Sequence, residues 1–232
     1  MKFLCYSDVH GNKYALETLI NSEDYNLADK KIFLGDLVNF CPYGEECINI
    51  IKNSNDILLK GNHDFYLSNN ISNKLEGLSL FWAEHQKYTK NLLSNNSMEF
   101  LNNLPYNYEL KVENKLFYFT HYLWESDSIV AKNPDKNYSP SKKTAQIFDN
   151  IQANYIIFGH NHFPGMVEYN GKTFICVGSL GAKYPANYLV IDINNDEVKI
   201  EFKQLKYDIE KLKNEIKSMN YPKADTVLSF YD

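Results

Sequence analysis

Short apolar runs alternate with longer segments of helical spacing along most of the chain. The first pair is an apolar run at Lys2–Tyr6 followed by a segment of helical spacing at Asn12–Ile20. This alternation is typical of α/β proteins, in which helices connect the strands of a sheet. We predict further strands at Lys31–Leu34, Asp56–Leu59, Leu116–Thr120 and Tyr155–Phe158, and further helices at Gly44–Lys52, Ser79–Leu93, Ser97–Leu104 and Lys142–Ile151.

In the last third of the chain, pairs of short apolar segments are separated by turn residues. The turn Asn170-Gly171 separates two of them, and Asn194-Asn195-Asp196 separates the next two. Such turns favour hairpins, so this part of the chain is predicted to be antiparallel. The four predicted strands are Met166–Tyr169, Lys172–Val177, Tyr188–Ile193 and Val198–Gln204.

The C-terminal segment has the spacing of an amphipathic helix. Its residues Ile209, Leu212, Ile216 and Met219 follow one another at steps of three and four, which places them on one helical face. We predict that this helix, about residues 207–219, packs on a single domain formed by residues 1–232. The segment Lys132–Pro140 is predicted to be an exposed loop, because it contains two prolines and several polar residues.

The charge of the chain argues against nucleic-acid binding. Its formal net charge is −5, and all of its 24 basic residues are Lys. Proteins that bind nucleic acids specifically usually carry a basic excess and use Arg to contact guanine and phosphate. We therefore predict no sequence-specific nucleic-acid partner.

The cysteines and the hydropathy pattern predict a cytoplasmic protein. Cys5, Cys41, Cys47 and Cys176 have no C-x-x-C spacing, and most of them lie in or beside apolar runs, as reduced thiols do. No stretch approaches the roughly 18 apolar residues of a membrane span. We therefore predict a reducing location and no membrane partner.

Metal-binding residue types follow each of five predicted strands. In an α/β sheet, the loops at the carboxyl ends of the strands meet in one crevice, where ligands bind. Carboxylate, imidazole and carboxamide groups without cysteine suit divalent Mn, Fe, Co, Ni or Zn. Seven ligands are too many for one four-coordinate ion and suit two ions that share a carboxylate. The candidate ligands are Asp8, His10, Asp36, Asn62, His121, His160 and His162.

One histidine, His85, has a different context. It lies inside a predicted helix and away from any strand end, whereas the other five histidines follow strands. A lone histidine of this kind is usually a satisfied core or surface residue. We therefore exclude His85 from the candidate site.

Five sequence blocks, in order, resemble those of the calcineurin-like metallophosphoesterases. They extend over residues 8–162, and the presence of all five in order makes the match specific. The runs Asp8–Asn12 and Gly35–Val38, the latter followed by Cys41–Gly44, resemble the small single-domain prokaryotic phosphodiesterase-like branch in particular. The blocks are D-x-H at Asp8, G-D at Gly35, G-N-H-D at Gly61, a single H at His121 and G-H-x-H at Gly159.

The resemblance implies a four-layer α/β/β/α sandwich with two mixed β-sheets and a di-metal site at the carboxyl ends of the strands. It implies that two divalent ions share Asp36. It also implies that His63 faces the substrate as a catalytic residue and that Asp64 orients it. The first ion would be held by Asp8, His10, Asp36 and His162, and the second by Asp36, Asn62, His121 and His160.

Residues near the substrate are less well defined by the sequence. The segment Val177–Gly181 is predicted either to form a nest of N–H groups, with Gly178 and Ser179 binding substrate, or to be a plain glycine-rich turn. Lys183 is either a substrate contact or a surface lysine. Asn12 is either a substrate contact or the N-cap of the first helix.

The resemblance implies metal-dependent hydrolysis of a phosphate ester. We expect a phosphodiesterase that acts on a small or nucleotide-type substrate by in-line attack of a metal-bridging hydroxide, with manganese among the candidate metals. A phosphomonoesterase or a dinucleoside-polyphosphate hydrolase would use the same site. A non-catalytic, metal-stabilised interaction module is a further alternative, because 15% of the residues are aromatic.

Two features of the blocks narrow the family resemblance. In the phosphoprotein phosphatases, the second block resembles G-D-x-V-D-R-G. This chain instead has the run Gly35–Cys41 and contains no Arg. That branch is therefore disfavoured. Some relatives that act as scaffolds lack the histidine of the third block, and its presence here as His63 favours catalysis.

Overall fold

The computed structural model describes residues 1–69, 80–125, 128–129, 135, 138–219 and 221–231. Most of the predicted loop Lys132–Pro140, and the predicted helix start at Ser79, lie outside these residues. The helices and strands are, in chain order, β1 (Lys2–Tyr6), α1 (Lys13–Ile20), α2 (Glu23–Leu27), β2 (Lys30–Phe33), α3 (Gly44–Lys52), β3 (Ile57–Leu58), α4 (Asn62–Ser68), α5 (Leu80–Leu92), α6 (Asn95–Asn102), β4 (Asn107–Val112), β5 (Lys115–Thr120), β6 (Trp124–Glu125), β7 (Ser128–Ile129), α7 (Lys142–Ile147), β8 (Tyr155–Phe158), β9 (Gly165–Tyr169), β10 (Lys172–Cys176), β11 (Ala186–Asn194), β12 (Glu197–Leu205), α8 (Ile209–Ser218) and α9 (Ala224–Leu228).

Ten of the described strands form two mixed five-stranded sheets. The first sheet has the order β12-β11-β1-β2-β3, and the second has the order β4-β5-β8-β10-β9. Strands β1, β2 and β3 are parallel in the first sheet, and β5, β8 and β10 are parallel in the second. Because parallel strands end at the same edge of a sheet, the loops that follow them converge.

Among the described residues, three hydrophobic clusters hold the layers together. One lies between the sheets, where the rings of Phe3 and Phe117 meet edge to face with centroids 5.5 Å apart. Another joins the outer face of the first sheet to α1, α3 and α8 and includes Leu16 and Leu212. The third joins the second sheet to α7 through Ala145. The predicted four-layer sandwich with two mixed sheets is therefore confirmed.

The sequence-based prediction lacks α2, α4, β4, β6, β7 and α9. Helix α2 is only five residues long and begins at the N-cap Ser22, whose side chain accepts from the Tyr25 N–H at 3.2 Å. Strand β4 lies at the edge of the second sheet, where every second residue faces solvent. Its polar residues interrupt the apolar run by which strands were predicted.

The C-terminal segment forms the amphipathic helix α8, but Met219, predicted on its apolar face, lies just beyond the helix and is 42% exposed. Asp208 caps it by accepting from the Lys211 N–H at 3.0 Å. Ile209, Leu212 and Ile216 are buried against the first sheet and its helices. Fully burying such side chains stabilises the fold by roughly 1.5–3 kcal/mol each, which accounts for the docking of α8.

All four cysteines are buried and free. Burial raises the pKa of the Cys41 thiol to about 12, so this group stays protonated at neutral pH. Within the described ranges, no helix combines the length and the apolar character that crossing a bilayer requires.

Candidate metal centre

The loops that follow β1, β2, β3, β5 and β8 converge at one edge of the sandwich. Main-chain hydrogen bonds join them: the Asp8 N–H donates to the Gly35 C=O at 2.9 Å, and the Gly159 N–H donates to the His121 C=O at 3.0 Å. Both sheets therefore contribute to one site. All seven candidate ligands and His63 lie in this place.

One group of ligands, which we call the Asp8 cluster, consists of Asp8, His10 and His162. Nε2 of His162 lies 3.1 Å from Asp8 Oδ1 and 3.1 Å from His10 Nε2, and His10 Nε2 lies 3.6 Å from Asp8 Oδ1. Asp8 and His10 are fully buried, whereas the side chain of His162 is 23% exposed. The Asp8 cluster is therefore open to solvent on the side of His162.

The second group, which we call the Asn62 cluster, consists of Asn62, His121 and His160. Asn62 Oδ1 lies 3.0 Å from Nε2 of His121 and 2.9 Å from Nδ1 of His160. The amide oxygen carries lone pairs, and the two imidazole nitrogens offer theirs to a cation once they are deprotonated. The Asn62 cluster therefore presents one oxygen and two nitrogen donors to an ion.

Asp36 lies between the two clusters. Its Oδ2 atom lies 3.8 Å from Nε2 of His10 and 3.2 Å from Nε2 of His121. Its other oxygen, Oδ1, accepts from the N–H of His63 at 2.8 Å. This hydrogen bond orients the carboxylate so that Oδ2 faces both clusters.

The donor atoms fit divalent metal ions. Ligand atoms about 2.0–2.2 Å from an ion lie roughly 3.0–3.5 Å from one another, and pairs in both clusters have such separations. Asp8 Oδ1 is buried and accepts no hydrogen bond from the described residues. A bound cation would satisfy this oxygen, and the mixed oxygen and nitrogen donors suit transition metals.

The carboxylates and imidazoles shift the ionisation of one another. Burial opposes the charge on Asp8, but His162 and His121 hold the pKa of Asp8 well below its ordinary value. Burial also opposes the charge on Asp36, but His121 and His63 lower its pKa as well. Both carboxylates are therefore charged at neutral pH, and their charge favours a bound cation.

Five of the seven candidate ligands have a left-handed backbone conformation. They are five of the twelve non-glycine residues with positive φ in the described part of the chain. This conformation costs energy outside glycine and is concentrated at functional sites. The five are Asp8 (φ 56°), His10 (50°), Asp36 (61°), His160 (66°) and His162 (61°).

Two glycines allow the loops to approach each other. A Cβ atom at Gly61 would lie 2.1 Å from the main-chain nitrogen of Asp36, and one at Gly159 would lie 2.0 Å from Ser7 Oγ. Any side chain at these positions would therefore push the loops apart. This explains why glycine precedes Asn62 and His160.

Main-chain carbonyl groups orient two of the imidazoles. Nδ1 of His10 lies 3.2 Å from the Val38 C=O oxygen, and Nδ1 of His121 lies 3.0 Å from the Leu34 C=O oxygen. A carbonyl oxygen only accepts, so both Nδ1 atoms donate. Both Nε2 atoms consequently face the clusters, as is usual for ligating histidines.

His63 lies beside the clusters, with its ring centroid 5.1 Å from that of His10. Its Nδ1 lies 2.8 Å from Nδ2 of Asn39. Because an amide N–H donates, Nδ1 accepts and the ring proton is on Nε2. Burial lowers the pKa of His63 to about 3, although Asp36 opposes this shift, so the ring is neutral at pH 7.

Asp64 is expected to orient His63, but its observed hydrogen bonds are to main-chain N–H groups. Asp64 Oδ2 accepts from the N–H groups of Asp36 at 2.9 Å and Gly61 at 3.0 Å, and Oδ1 accepts from the Leu37 N–H at 2.9 Å. The carboxylate of Asp64 is fully buried. It therefore joins the loop of Asp36 and Leu37 to the loop of Gly61, because main-chain N–H groups of both loops occupy its oxygens.

Asn39 and Phe40 are functional candidates that the sequence interpretation missed. Asn39 is buried and contacts His63, and the Phe40 ring centroid lies 4.1 Å from that of His10 and 5.0 Å from that of His63. The sequence run that begins at Gly35 could have indicated a functional role for Asn39. Asn39 occupies the position of the second Asp in G-D-x-V-D-R-G.

Asn12 has a structural role instead of a substrate contact. It is fully buried and caps α1, with Oδ1 accepting from the Ala15 N–H at 3.1 Å. Its Nδ2 donates to the Gly181 C=O at 2.9 Å and to the Tyr207 hydroxyl at 3.0 Å. The N-cap alternative is therefore correct.

The glycine-rich segment supports the ligand loops and does not form an open nest. Ser179 is fully buried, and its Oγ donates to the Asp8 C=O at 2.9 Å. The Gly181 N–H donates to the same oxygen at 2.9 Å. Gly178 is buried, and its φ of +84° requires glycine. The proposed substrate contacts of Gly178 and Ser179 are therefore corrected to structural roles.

Lys183 remains a candidate on the substrate side. It is partly exposed, and its Nζ atom lies 4.4 Å from the ring centroid of Phe163, the residue after His162. Its positive charge is therefore held beside a residue that follows the ligand loop.

His85 lies outside both clusters, and its hydrogen bonds are structural. Nε2 accepts from the Phe40 N–H at 2.8 Å and lies 3.2 Å from the Tyr221 hydroxyl. Burial lowers the pKa of His85 to about 4. The prediction of a satisfied structural histidine is confirmed by these contacts.

Comparisons with known proteins agree with this geometry. The family described as calcineurin-like phosphoesterase matches residues 1–164. The uncharacterised protein MJ0912 of Methanocaldococcus jannaschii is 27% identical over 241 residues, which cover 93% of this chain and 92% of that protein.

Two solved structures have the same fold. A metallophosphoesterase from Sphaerobacter thermophilus matches with a TM-score of 0.74 and 20% identity over 99% of this chain and 98% of its own. The hypothetical protein PH1004 from Pyrococcus horikoshii OT3 matches with a TM-score of 0.75 and 19% identity over 98% of this chain and 96% of its own. All five sequence blocks fall within residues 1–164, which the family match covers. The chain therefore belongs to the calcineurin-like phosphoesterases, a family of hydrolases that act on phosphate esters and typically bind divalent metals.

Proposed function

We propose that the chain is a phosphodiesterase that hydrolyses a small or nucleotide-type phosphate ester with two divalent ions. The observation that carries this proposal is the position of Asp36 Oδ2, 3.8 Å from Nε2 of His10 and 3.2 Å from Nε2 of His121. Two ions that clamp one phosphoryl group lie close together and need a common ligand of this kind. In this proposal, residues 1–232 form one domain.

Asp36 would be shared by the two ions. When bound, the ions would polarise the phosphoryl group and supply hydroxide near neutral pH. Mn, Fe, Co, Ni and Zn all suit the donor set. The other ligands of the first ion would be Asp8, His10 and His162, and those of the second would be Asn62, His121 and His160.

His63 is the candidate hydrogen-bond donor to the substrate phosphate. Its ring is neutral and carries its proton on Nε2, because Nδ1 accepts from Asn39. Contacts with Asn39 and with the Phe40 ring restrict the rotation of the imidazole, which keeps this proton in a defined position. A fixed donor of this kind stabilises the negative charge that develops on the phosphoryl and leaving-group oxygens, which is worth about 100- to 1,000-fold in turnover.

The substrate phosphate must be held without arginine, since the chain contains none. The ions and His63 would contact the phosphoryl oxygens. Lys183 would add a point charge to a part of the substrate beyond the reacting phosphate, because it lies against Phe163, the residue after His162. A cytoplasmic location stays a prediction.

Activity measurements test the proposal directly. Protein loaded with Mn²⁺ should hydrolyse a chromogenic phosphodiester, and EDTA should abolish the reaction. His63→Ala should lower turnover by about 100-fold or more while metal content, measured by mass spectrometry, stays unchanged. Loss of an ion in this variant would instead identify His63 as a ligand.

A panel of substrates separates the alternatives. Rates on diesters, monoesters and dinucleoside polyphosphates are compared with the same metal-loaded protein. A higher rate on a monoester or a dinucleoside polyphosphate would contradict the diester preference. A protein that binds two ions and hydrolyses none of these compounds would favour the interaction module.

A further inference from the structure

Strand β12 forms an open edge of the first sheet. All nine of its residues pair with β11, from Glu197 opposite Asn194 to Leu205 opposite Ala186. In the described part of the chain, no strand lies on its other side. Half of its main-chain N–H and C=O groups therefore face outward, where they can pair with another strand.

The two faces of β12 differ in character. Val198 and Ile200 lie on the face between the sheets, where they are only partly buried against the core. Phe202 continues this face and is 39% exposed. The edge thus presents a short apolar strip beside its free main-chain groups.

The opposite face of β12 carries charges of alternating sign. Its residues Glu197, Lys199, Glu201 and Lys203 occupy successive positions on that face. The two lysines flank Glu201 and form ion pairs with it. This strand segment has no net charge, although the whole chain carries −5, so a second copy would not be repelled here.

This charge pattern is complementary to itself in one antiparallel register. A two-fold axis at Ile200 places Glu197 opposite Lys203 and Lys199 opposite Glu201, so four ion pairs form across the axis. The same axis places Val198 opposite Phe202 and Ile200 opposite itself. Opposite charges and apolar pairs directly across two strands stabilise their pairing.

Neighbouring registers lose this complementarity. An axis at Lys199 would pair that lysine with its own copy and Glu197 with Glu201. An axis at Glu201 would pair Lys199 with Lys203 and Glu201 with its own copy. Like charges directly opposite each other destabilise a sheet, so the pattern selects the register centred on Ile200.

We propose that β12 is a self-association surface, through which two copies of the chain join their first sheets into one continuous ten-stranded sheet. The contact is isologous, because the same strand of each copy lies on a two-fold axis. Charged edge strands can also serve to prevent pairing. The two roles differ in outcome, because a protective edge leaves the protein monomeric.

Charge reversal tests the proposed surface in the full chain. By light scattering after size exclusion, the wild type should have twice the 27.0 kDa of one chain. The variant Lys199→Glu/Lys203→Glu and the variant Glu197→Lys/Glu201→Lys should each self-associate about 100-fold more weakly, because all four cross-strand pairs become repulsive. Mixed in equal amounts, the two variants should form a heterodimer, since their strands are then opposite in charge.

Three results would overturn the proposal. They are a monomeric wild type at every accessible concentration, a dimer that persists unchanged in both variants, and a mixture that fails to form the heterodimer although circular dichroism shows both chains folded.

Cysteine cross-linking tests the register independently of charge. Residues opposite each other in antiparallel strands have Cα atoms about 4.5–5.5 Å apart, which a disulfide can span. Ile200→Cys should therefore form a covalent dimer under mild oxidation. Phe202→Cys is the matched control, because its own copy would lie several residues away although Phe202 is exposed. Faster cross-linking at position 202 than at position 200 would contradict the register.

Discussion

The Asp8 cluster and the Asn62 cluster both combine one oxygen donor with two imidazoles but differ in the charge of that oxygen donor. In the Asn62 cluster, a neutral amide oxygen lies 3.0 Å from Nε2 of His121 and 2.9 Å from Nδ1 of His160. In the Asp8 cluster, Asp8 Oδ1 is buried without a hydrogen bond from the described residues, and Nε2 of His10 and His162 face each other at 3.1 Å. The Asn62 cluster thus contains a neutral amide, whereas the Asp8 cluster contains a buried carboxylate whose charge favours a cation more strongly.

The largest effect should follow from removing what the two clusters share. Asp36→Asn should lower diester hydrolysis by at least about 1,000-fold, because both ions lose an anionic ligand. Turnover and metal content are measured together. The control is Asp56→Asn, since Asp56 binds Tyr25 away from the site, with a hydroxyl-to-carboxylate distance of 2.7 Å. Equal activity in the wild type and in Asp36→Asn would contradict a shared ligand.

Single substitutions should weaken metal binding to a different extent at the two clusters, and both effects should be smaller than that of Asp36→Asn. Asp8→Asn should weaken binding of one ion by at least about 100-fold, since it removes a charge next to the cation. Asn62→Ala should weaken the other ion by only about 10-fold, because a neutral amide contributes less. Metal titration followed by calorimetry measures both constants. Equal losses in the two variants would contradict the difference between the clusters.

Ser179, which positions the Asp8 loop, should affect metal binding at only one cluster. Ser179→Ala removes the hydrogen bond to the Asp8 C=O and should lower the free energy of unfolding by about 1–2 kcal/mol. It should also weaken ion binding at the Asp8 cluster while leaving the Asn62 cluster unchanged. Urea unfolding and the same metal titration check the two parts. A uniform loss at both clusters would mean that Ser179 acts on the whole fold.

The last effect is confined to acid pH and concerns His85, a buried histidine outside both clusters. Its pKa falls from the ordinary 6.5 to about 4 on folding, so the unfolded chain binds more protons between these values. The contribution of neutral His85 to stability should therefore be fully present above pH 6.5. It should be lost as the pH falls towards 4, which lowers the free energy of unfolding by up to about 3 kcal/mol. In His85→Gln this decline should be shallower. Urea unfolding in metal-free buffer measures it, and parallel curves for the two proteins would rule out a contribution from His85.

The position of the ligands could be predicted because each follows a strand. The apolar runs before Asp8, Asp36 and His160 mark strand ends, and loops at strand ends meet. The role of Asp64 could not be predicted in this way. Its neighbour in sequence is His63, but its partners are main-chain N–H groups of two loops, and sequence patterns do not indicate which buried N–H groups need an acceptor.

The sequence alone determined the α/β architecture, the family and the set of metal-binding residue types. The spacing of apolar residues and the short sequence blocks can be recognised without knowing which residues are in contact. Tertiary structure decided which of these residues touch. It placed Asn39 on His63, took Asn12 and Ser179 out of contact with substrate, and set Asp36 between two clusters. These outcomes depend on contacts between residues far apart in sequence, and such contacts form only when both sheets and their loops pack together.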